Sequence, residues 1–284
     1  MGQKTSDDDH PILTVEGWED GEHYVRHLRK LDRWDLQSAD RLTVHVGDHD
    51  IVLLQDPHSD HLGGYIWLCS VVFCSYMDAL AKNHKRRNDR QEWIHMDQDK
   101  LWVELGSGVG LIGTMLAKLG LERVVMTDIG DLVPAMERNV EANELLTWSI
   151  SGRKANATDN RHSVIIEPLL WDDDEAIRHI KSLGDIDYIV ACDCIYSEAS
   201  AMDLVHTMDK LASPETLIIC FSEVRNQAAQ DTFLHHAQTL FHVDLIPQEQ
   251  WKKKIKGLEF EETLNLYRLC KTPWHTLQRK KKKA

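Results

Sequence analysis

Residues 101–113 read LWVELGSGVGLIG. An apolar run, Leu101–Leu105, carries a single carboxylate, Glu104. Gly106, Gly108 and Gly110 then alternate with other residues, and an apolar helical pattern begins. This is a strand, a tight turn and a helix. Glycines at such a turn let the backbone come close to a ligand, and the helix N-terminus beyond them offers free N–H groups. The same texture repeats downstream. Arg123–Asp128 precedes a helix reaching Leu145, and 164–169 precedes one near 174–183. Next come 186–193 with a helix near 199–212, and 216–221 with a helix near 227–240. Two last runs, near 242–247 and 264–270, have no long helix between them and predict an antiparallel edge hairpin. The expected fold is α/β. It is a Rossmann-like, seven-stranded, mostly parallel sheet with helices on both faces and an N-terminal extension.

Upstream of this unit the pattern is weaker. Trp18, Tyr24, Leu28, Leu31 and Trp34 suggest one helical face, since 24, 28 and 31 follow i, i+4, i+7 spacing. Leu42, Val44 and Val46 alternate with polar residues, Gly47-Asp48 supplies a turn, and apolar residues resume at Ile51, which predicts a hairpin. Residues 65–82 read as a buried helix, 83–98 as a charged connector and 147–162 as a polar loop. The expected organisation is an extension over 1–60, a catalytic domain over 61–272, and a basic tail over 273–284.

The 284 residues are ample for a large core. The formal net charge is −13, and five positive residues crowd into 279–283, so the body is more acidic still. An acidic body repels phosphate backbones and argues against duplex nucleic acid. A protein substrate rich in Lys or Arg suits it better. No apolar stretch is long enough to span a membrane, and the first ten residues hold no apolar run. Six cysteines, with no Cys-x-x-Cys pair, lie mostly within apolar runs and read as reduced thiols. A monomer in the cytoplasm, with the nucleus as a second compartment, is the expected setting. No metal-ligand spacing emerges from the scattered histidines.

The glycine loop leaves two ligands open. Gly108, Gly110 and Gly113 satisfy the dinucleotide pattern G-x-G-x-x-G. Glu104, two residues before the first glycine, instead suits the ammonium of an amino-acid-bearing ligand such as S-adenosylmethionine. Asp128, at the end of the second strand, is placed to grip ribose hydroxyls, which both ligands have. The fourth strand ends in Asp193-Cys194-Ile195-Tyr196, at the edge where ligands sit in such sheets. A carboxylate and a phenol there suit an amine.

ELGSGVG, Thr127-Asp128, Leu170-Trp171 and Asp193-x-x-Tyr196 together resemble the family-16 protein lysine methyltransferases. Gly63 and Trp67 match that family's G-x-x-x-W element, with Leu68 where a Pro is familiar. The resemblance covers about residues 63–271. It implies S-adenosylmethionine as methyl donor, with Trp67, Glu104, Gly106, Gly108, Asp128 and Trp171 around it. Ser107, inside the glycine loop, and Cys192, beside Asp193, join that set. Asp193 and Tyr196 would face the target lysine of a protein substrate. The alternatives are a methyltransferase for a small molecule or another side chain such as histidine, and a non-catalytic binder of the cofactor. A side chain at Gly108 is expected to fill the ligand's own space.

Overall fold

The computed structural model describes residues 10–87, 92–148 and 163–281. Its centre is the strand of the glycine motif, β5 (Leu101–Leu105), buried at every position. The chain continues through α3 (Leu111–Lys118), β6 (Arg123–Asp128), α4 (Val133–Ala142) and the short β7 (Leu146–Trp148) to β8 (Ser163–Pro168). It then returns past β5 through α5 (Asp174–Lys181), β9 (Tyr188–Cys192), α6 (Glu198–Leu211), β10 (Leu217–Glu223) and α7 (Gln227–Leu240). β11 (His242–Ile246) and β12 (Leu264–Cys270), with the one-turn α8 (Gln248–Trp251) between them, close the sheet, and α9 (Trp274–Lys281) follows. The spatial order is β11-β12-β10-β9-β5-β6-β8-β7, parallel except for β12, which runs against both neighbours. The sheet has eight strands rather than seven, because β7 adds a three-residue parallel strand beyond β8. Thr147 and Trp148 thus belong to the sheet rather than to the expected loop. The rest of that loop, 149–162, lies outside the described residues.

Successive strands step outward from β5 to β6 and β8, then restart on its other side at β9. The switch point therefore lies between β5 and β9, and ligands bind beyond the carboxyl ends of the strands there. β5 and β9 are buried on both faces, which is why they read as continuous apolar runs. One hydrophobic cluster covers each face of the sheet, and the Trp102 and Tyr188 rings stack 4.1 Å apart on adjacent strands.

The N-terminal segment forms its own four-stranded antiparallel sheet, ordered β2-β1-β3-β4. Its strands are β1 (Leu13–Glu19), β2 (Glu22–Leu28), β3 (Arg41–Val46) and β4 (His49–Leu54), with α1 (Arg33–Ser38) between the hairpins. The expected β3–β4 hairpin is present, with Gly47 at φ +60° in its turn. The expected helix over 18–34 is not. Asp20 and Gly21 both take positive φ, at 51° and 82°, and close a two-residue hairpin between β1 and β2. An Asp-Gly pair favours that turn, and it overrides the accidental helical spacing of Tyr24, Leu28 and Leu31. Trp18 and Trp34 are 69% and 77% exposed, so no single apolar face forms.

Residues 65–82 were expected as a helix, and α2 runs Leu68–Arg87. The connector is shorter than its charges suggest, and Trp93, Ile94 and Met96 return to the core. Within the stretch expected as a basic tail, 274–281 is helical, with Leu277 buried and the Arg268 guanidinium 4.5 Å over the Trp274 ring. All six cysteines are buried and free. No helix among the described residues is long and apolar enough to cross a membrane.

Candidate active site

Five parallel strands and the loop before α2 deliver their ends to a cleft of about 290 Å³. Glu104 and the glycine loop follow β5, Asp128 ends β6, and Trp171 follows β8. Cys192, Asp193 and Tyr196 come from the end of β9, Arg225 follows β10, and Trp67 precedes α2. Every residue expected from the sequence to touch cofactor or acceptor lines this cleft: Trp67, Glu104, Gly106, Ser107, Gly108, Asp128, Trp171, Cys192, Asp193 and Tyr196.

The glycine loop is held by its neighbours. Gly106, Gly108 and Gly110 have φ of 68°, 54° and 88°, which other residues adopt only at a cost. Ser107 is tied to β6: its N–H donates to the Thr127 carbonyl at 2.9 Å, and its hydroxyl accepts from the Thr127 N–H at 3.1 Å. A Cβ on Gly106 would lie 2.7 Å from the Cys194 sulfur and 3.3 Å from the Trp171 ring. A Cβ on Gly108 would lie 2.9 Å from the Gly63 carbonyl oxygen. A Cβ on Gly108 is therefore crowded by the chain's own backbone.

Two carboxylates flank the loop. Glu104 is wholly buried and accepts the Gly113 N–H at 3.0 Å. Burial pushes its carboxyl up to about 7, against the pull of the Ser107 hydroxyl and the Gly113 N–H. Asp128 accepts the Gly108 N–H at 2.7 Å and the Ile129 N–H at 2.8 Å, one on each oxygen. Burial raises its pKa as well. Each oxygen keeps a second lone pair for a ribose hydroxyl.

These contacts bear on the choice between the two candidate cofactors. A pyrophosphate needs unused backbone N–H groups at the loop. Here Gly108 donates to Asp128, Gly110 to the Ser107 carbonyl, and Gly113 to Glu104. A phosphate anion would also face two carboxylates. S-adenosylmethionine fits, since it brings an ammonium and a sulfonium for the carboxylates and a ribose diol for Asp128.

The far end of the cleft has a different character. Asp193 sits just past β9 at φ +60°, and its N–H donates to the Phe221 carbonyl at 2.7 Å. It is 9% exposed. Its Oδ1 meets the Arg225 guanidinium at 2.8 Å and accepts the Glu223 N–H at 3.3 Å, while its Oδ2 is buried without a hydrogen-bond partner. Burial raises the Asp193 pKa, and Arg225 opposes that. Tyr196 is 41% exposed at the mouth, its ring 6.2 Å from that of Trp171. Trp67 donates its indole N–H to the Leu62 carbonyl at 2.9 Å, and Arg225 lies 4.3 Å over its ring. Cys192 lines the floor, its sulfur 3.8 Å from that of Cys69.

Arg225 was missed from the sequence. The available signal was the run Glu223-Val224-Arg225, charged residues at and just past the end of a buried strand at the carboxyl edge of the sheet.

Residues 46–239 match the model of a family described as lysine methyltransferase. Methyltransferase-like protein 23 of Dictyostelium discoideum is 29% identical over 160 residues, 56% of this chain and 59% of that protein. Protein N-lysine methyltransferase METTL21A of Xenopus tropicalis is 26% identical over 184 residues, 65% of this chain and 71% of that protein. EEF1A lysine methyltransferase 3 of the same organism is 23% identical over 206 residues, 72% of this chain and 74% of that protein. The chain belongs to the lysine methyltransferase family. It is an enzyme, and its methyl donor is S-adenosylmethionine, so the dinucleotide and pure-binder readings fall away.

Proposed function

We propose that the acceptor is the ε-amino group of a lysine carried by a protein segment, bound at Asp193 and Tyr196. The observation that carries this is Asp193 Oδ2, an unpartnered carboxylate oxygen held in a buried position at the cleft. A buried polar atom without a partner is costly, and an incoming ammonium would satisfy it. The cofactor half of the cleft is assigned to Trp67, Glu104, Gly106, Ser107, Gly108, Asp128, Trp171 and Cys192.

Lysine with a pKa near 10.4 is neutral in only about one part in 2,500 at pH 7. The chain must therefore bind the ammonium, release its proton and hold the amine in line. Bound S-adenosylmethionine supplies an electrophilic methyl group on a sulfonium. Asp193 draws in the ammonium and fixes its direction. Tyr196, at the open mouth, hydrogen-bonds the amine while the proton leaves to solvent. Positioning of this kind supplies most of the acceleration. The net charge of −13 favours a basic protein segment over nucleic acid. Residues 61–272 are taken as the catalytic domain and 1–60 as an accessory segment on it. A monomer suffices, because one chain lines the whole cleft.

Incubation with methyl-tritiated S-adenosylmethionine and a dialysed cell extract tests the assignment. Acid hydrolysis of the labelled protein should release the label as methyl-lysine. Release as methyl-histidine, or label confined to small molecules, would overturn it.

A further inference from the structure

The acceptor carboxylate is wired to the N-terminal segment through a chain of charges that no comparison assigns. Arg225 Nη2 lies 2.8 Å from Asp193 Oδ1, and its Nη1 lies 2.8 Å from Glu223 Oε2. The other Glu223 oxygen, Oε1, lies 2.6 Å from Arg33 Nη2 on α1. The Arg225 guanidinium also rests on the Trp67 ring. Glu223 and Asp193 are buried, whereas Arg33 reaches in from the surface. A planar guanidinium can hold two carboxylates and stack on an indole at once; a lysine ammonium cannot.

We propose that Arg225 is a positioning residue for methyl transfer: it clamps Asp193 by one oxygen so that only Oδ2 meets the acceptor amine, and Arg33, acting through Glu223, holds Arg225 in that pose. The inference rests on the reading of Asp193 as the amine-binding group. It gives the N-terminal segment a role in acceptor chemistry rather than in cofactor binding. Asp193 has only one bonded side-chain oxygen, and its backbone takes a conformation that favours glycine. Without the clamp its side chain is free to turn away. The charged groups facing Asp193 are Arg225 and Glu223. The thiols of Cys69, Cys192, Cys194 and Cys220 nearby are kept neutral by burial.

The test compares Arg225→Gln, Arg225→Lys, Arg33→Gln and Asp193→Asn in the full chain. Tritium transfer from labelled S-adenosylmethionine to the proteins of a dialysed extract is followed as extract concentration and pH vary, with cofactor affinity measured by calorimetry. Arg225→Gln should lower the plateau rate by roughly ten- to a hundredfold and leave cofactor Kd within about threefold. Its acid limb should move to higher pH, because a positive charge beside Asp193 has gone. Arg225→Lys should restore part of the rate and the limb. Arg33→Gln should move both in the same direction by a smaller factor. A plateau rate unchanged in Arg225→Gln while Asp193→Asn is impaired would overturn the clamp and spare the acceptor reading. Unchanged rates in both would overturn the two together. A loss in Arg225→Gln with no movement of the acid limb and no rescue by lysine would make the residue merely structural and also overturn the proposal.

Discussion

Burial raises the pKa of three carboxylates in the cleft, Glu104, Asp128 and Asp193. Glu104 is raised to about 7 by burial. The native state therefore binds more protons than the unfolded chain between the ordinary glutamate value and pH 7, and the cofactor-free protein loses stability as pH rises through that window. An ammonium requires the ionised form. Cofactor affinity should thus increase about tenfold from pH 5.5 to 7.0, and Glu104→Gln should flatten that slope in calorimetry while raising the melting temperature at pH 7. A slope unchanged in the variant would remove Glu104 from the ammonium's partners. Asp128 shares the direction, because burial dominates its shift too. Gly108→Val should abolish cofactor binding. Valine at φ +54° is strained by about 1–3 kcal/mol, and its Cβ would press on the Gly63 carbonyl. The damage then reaches the loop before α2, so melting temperature should fall together with affinity. A variant that binds normally would contradict this packing.

Elements cooperate through a few long-range bonds that no local pattern announces. Asn139 on α4 and Asn143 at its C-terminal cap act as a false strand against β4. Asn139 accepts the Leu54 N–H at 2.8 Å and donates to the Leu54 and Val109 carbonyls, and Asn143 pairs with Val52 in the same way. Asn139→Ala strands buried backbone groups and should cost about 2–4 kcal/mol, read as a lower urea midpoint with faster exchange of the Leu54 amide. A midpoint within error of wild type would show that water replaces these bonds. The same contrast explains what the sequence revealed. The β5 loop was legible because its glycines, Glu104 and the following helix are contiguous, and Asp128 and Asp193 because parallel strands end at one edge. The β1–β2 hairpin was hidden by chance spacing of Tyr24, Leu28 and Leu31, although Asp20-Gly21 marked it. Arg225 was illegible as a partner of Asp193, since only the parallel pairing of β9 with β10 brings them together.

At the scale of the whole molecule, the proposed function has an acidic chain of net charge −13 present a cleft with a cofactor half and an acceptor half. Steering of a basic protein segment is screened by salt, with a Debye length of about 10 Å at 0.1 M. Apparent KM for extract proteins should therefore rise severalfold between 50 and 300 mM NaCl, while cofactor Kd changes little; equal changes in both would contradict charge steering of the acceptor. The central claim is that the two halves are chemically separate, with Asp193 serving the amine alone. Its most direct test is Asp193→Asn, with cofactor Kd and turnover per folded molecule measured on one preparation. The account predicts a Kd within about threefold of wild type and turnover lower by roughly tenfold to a thousandfold, or about 1.4–4 kcal/mol of transition-state stabilisation. Turnover per folded molecule that stays intact while the melting temperature drops would contradict it.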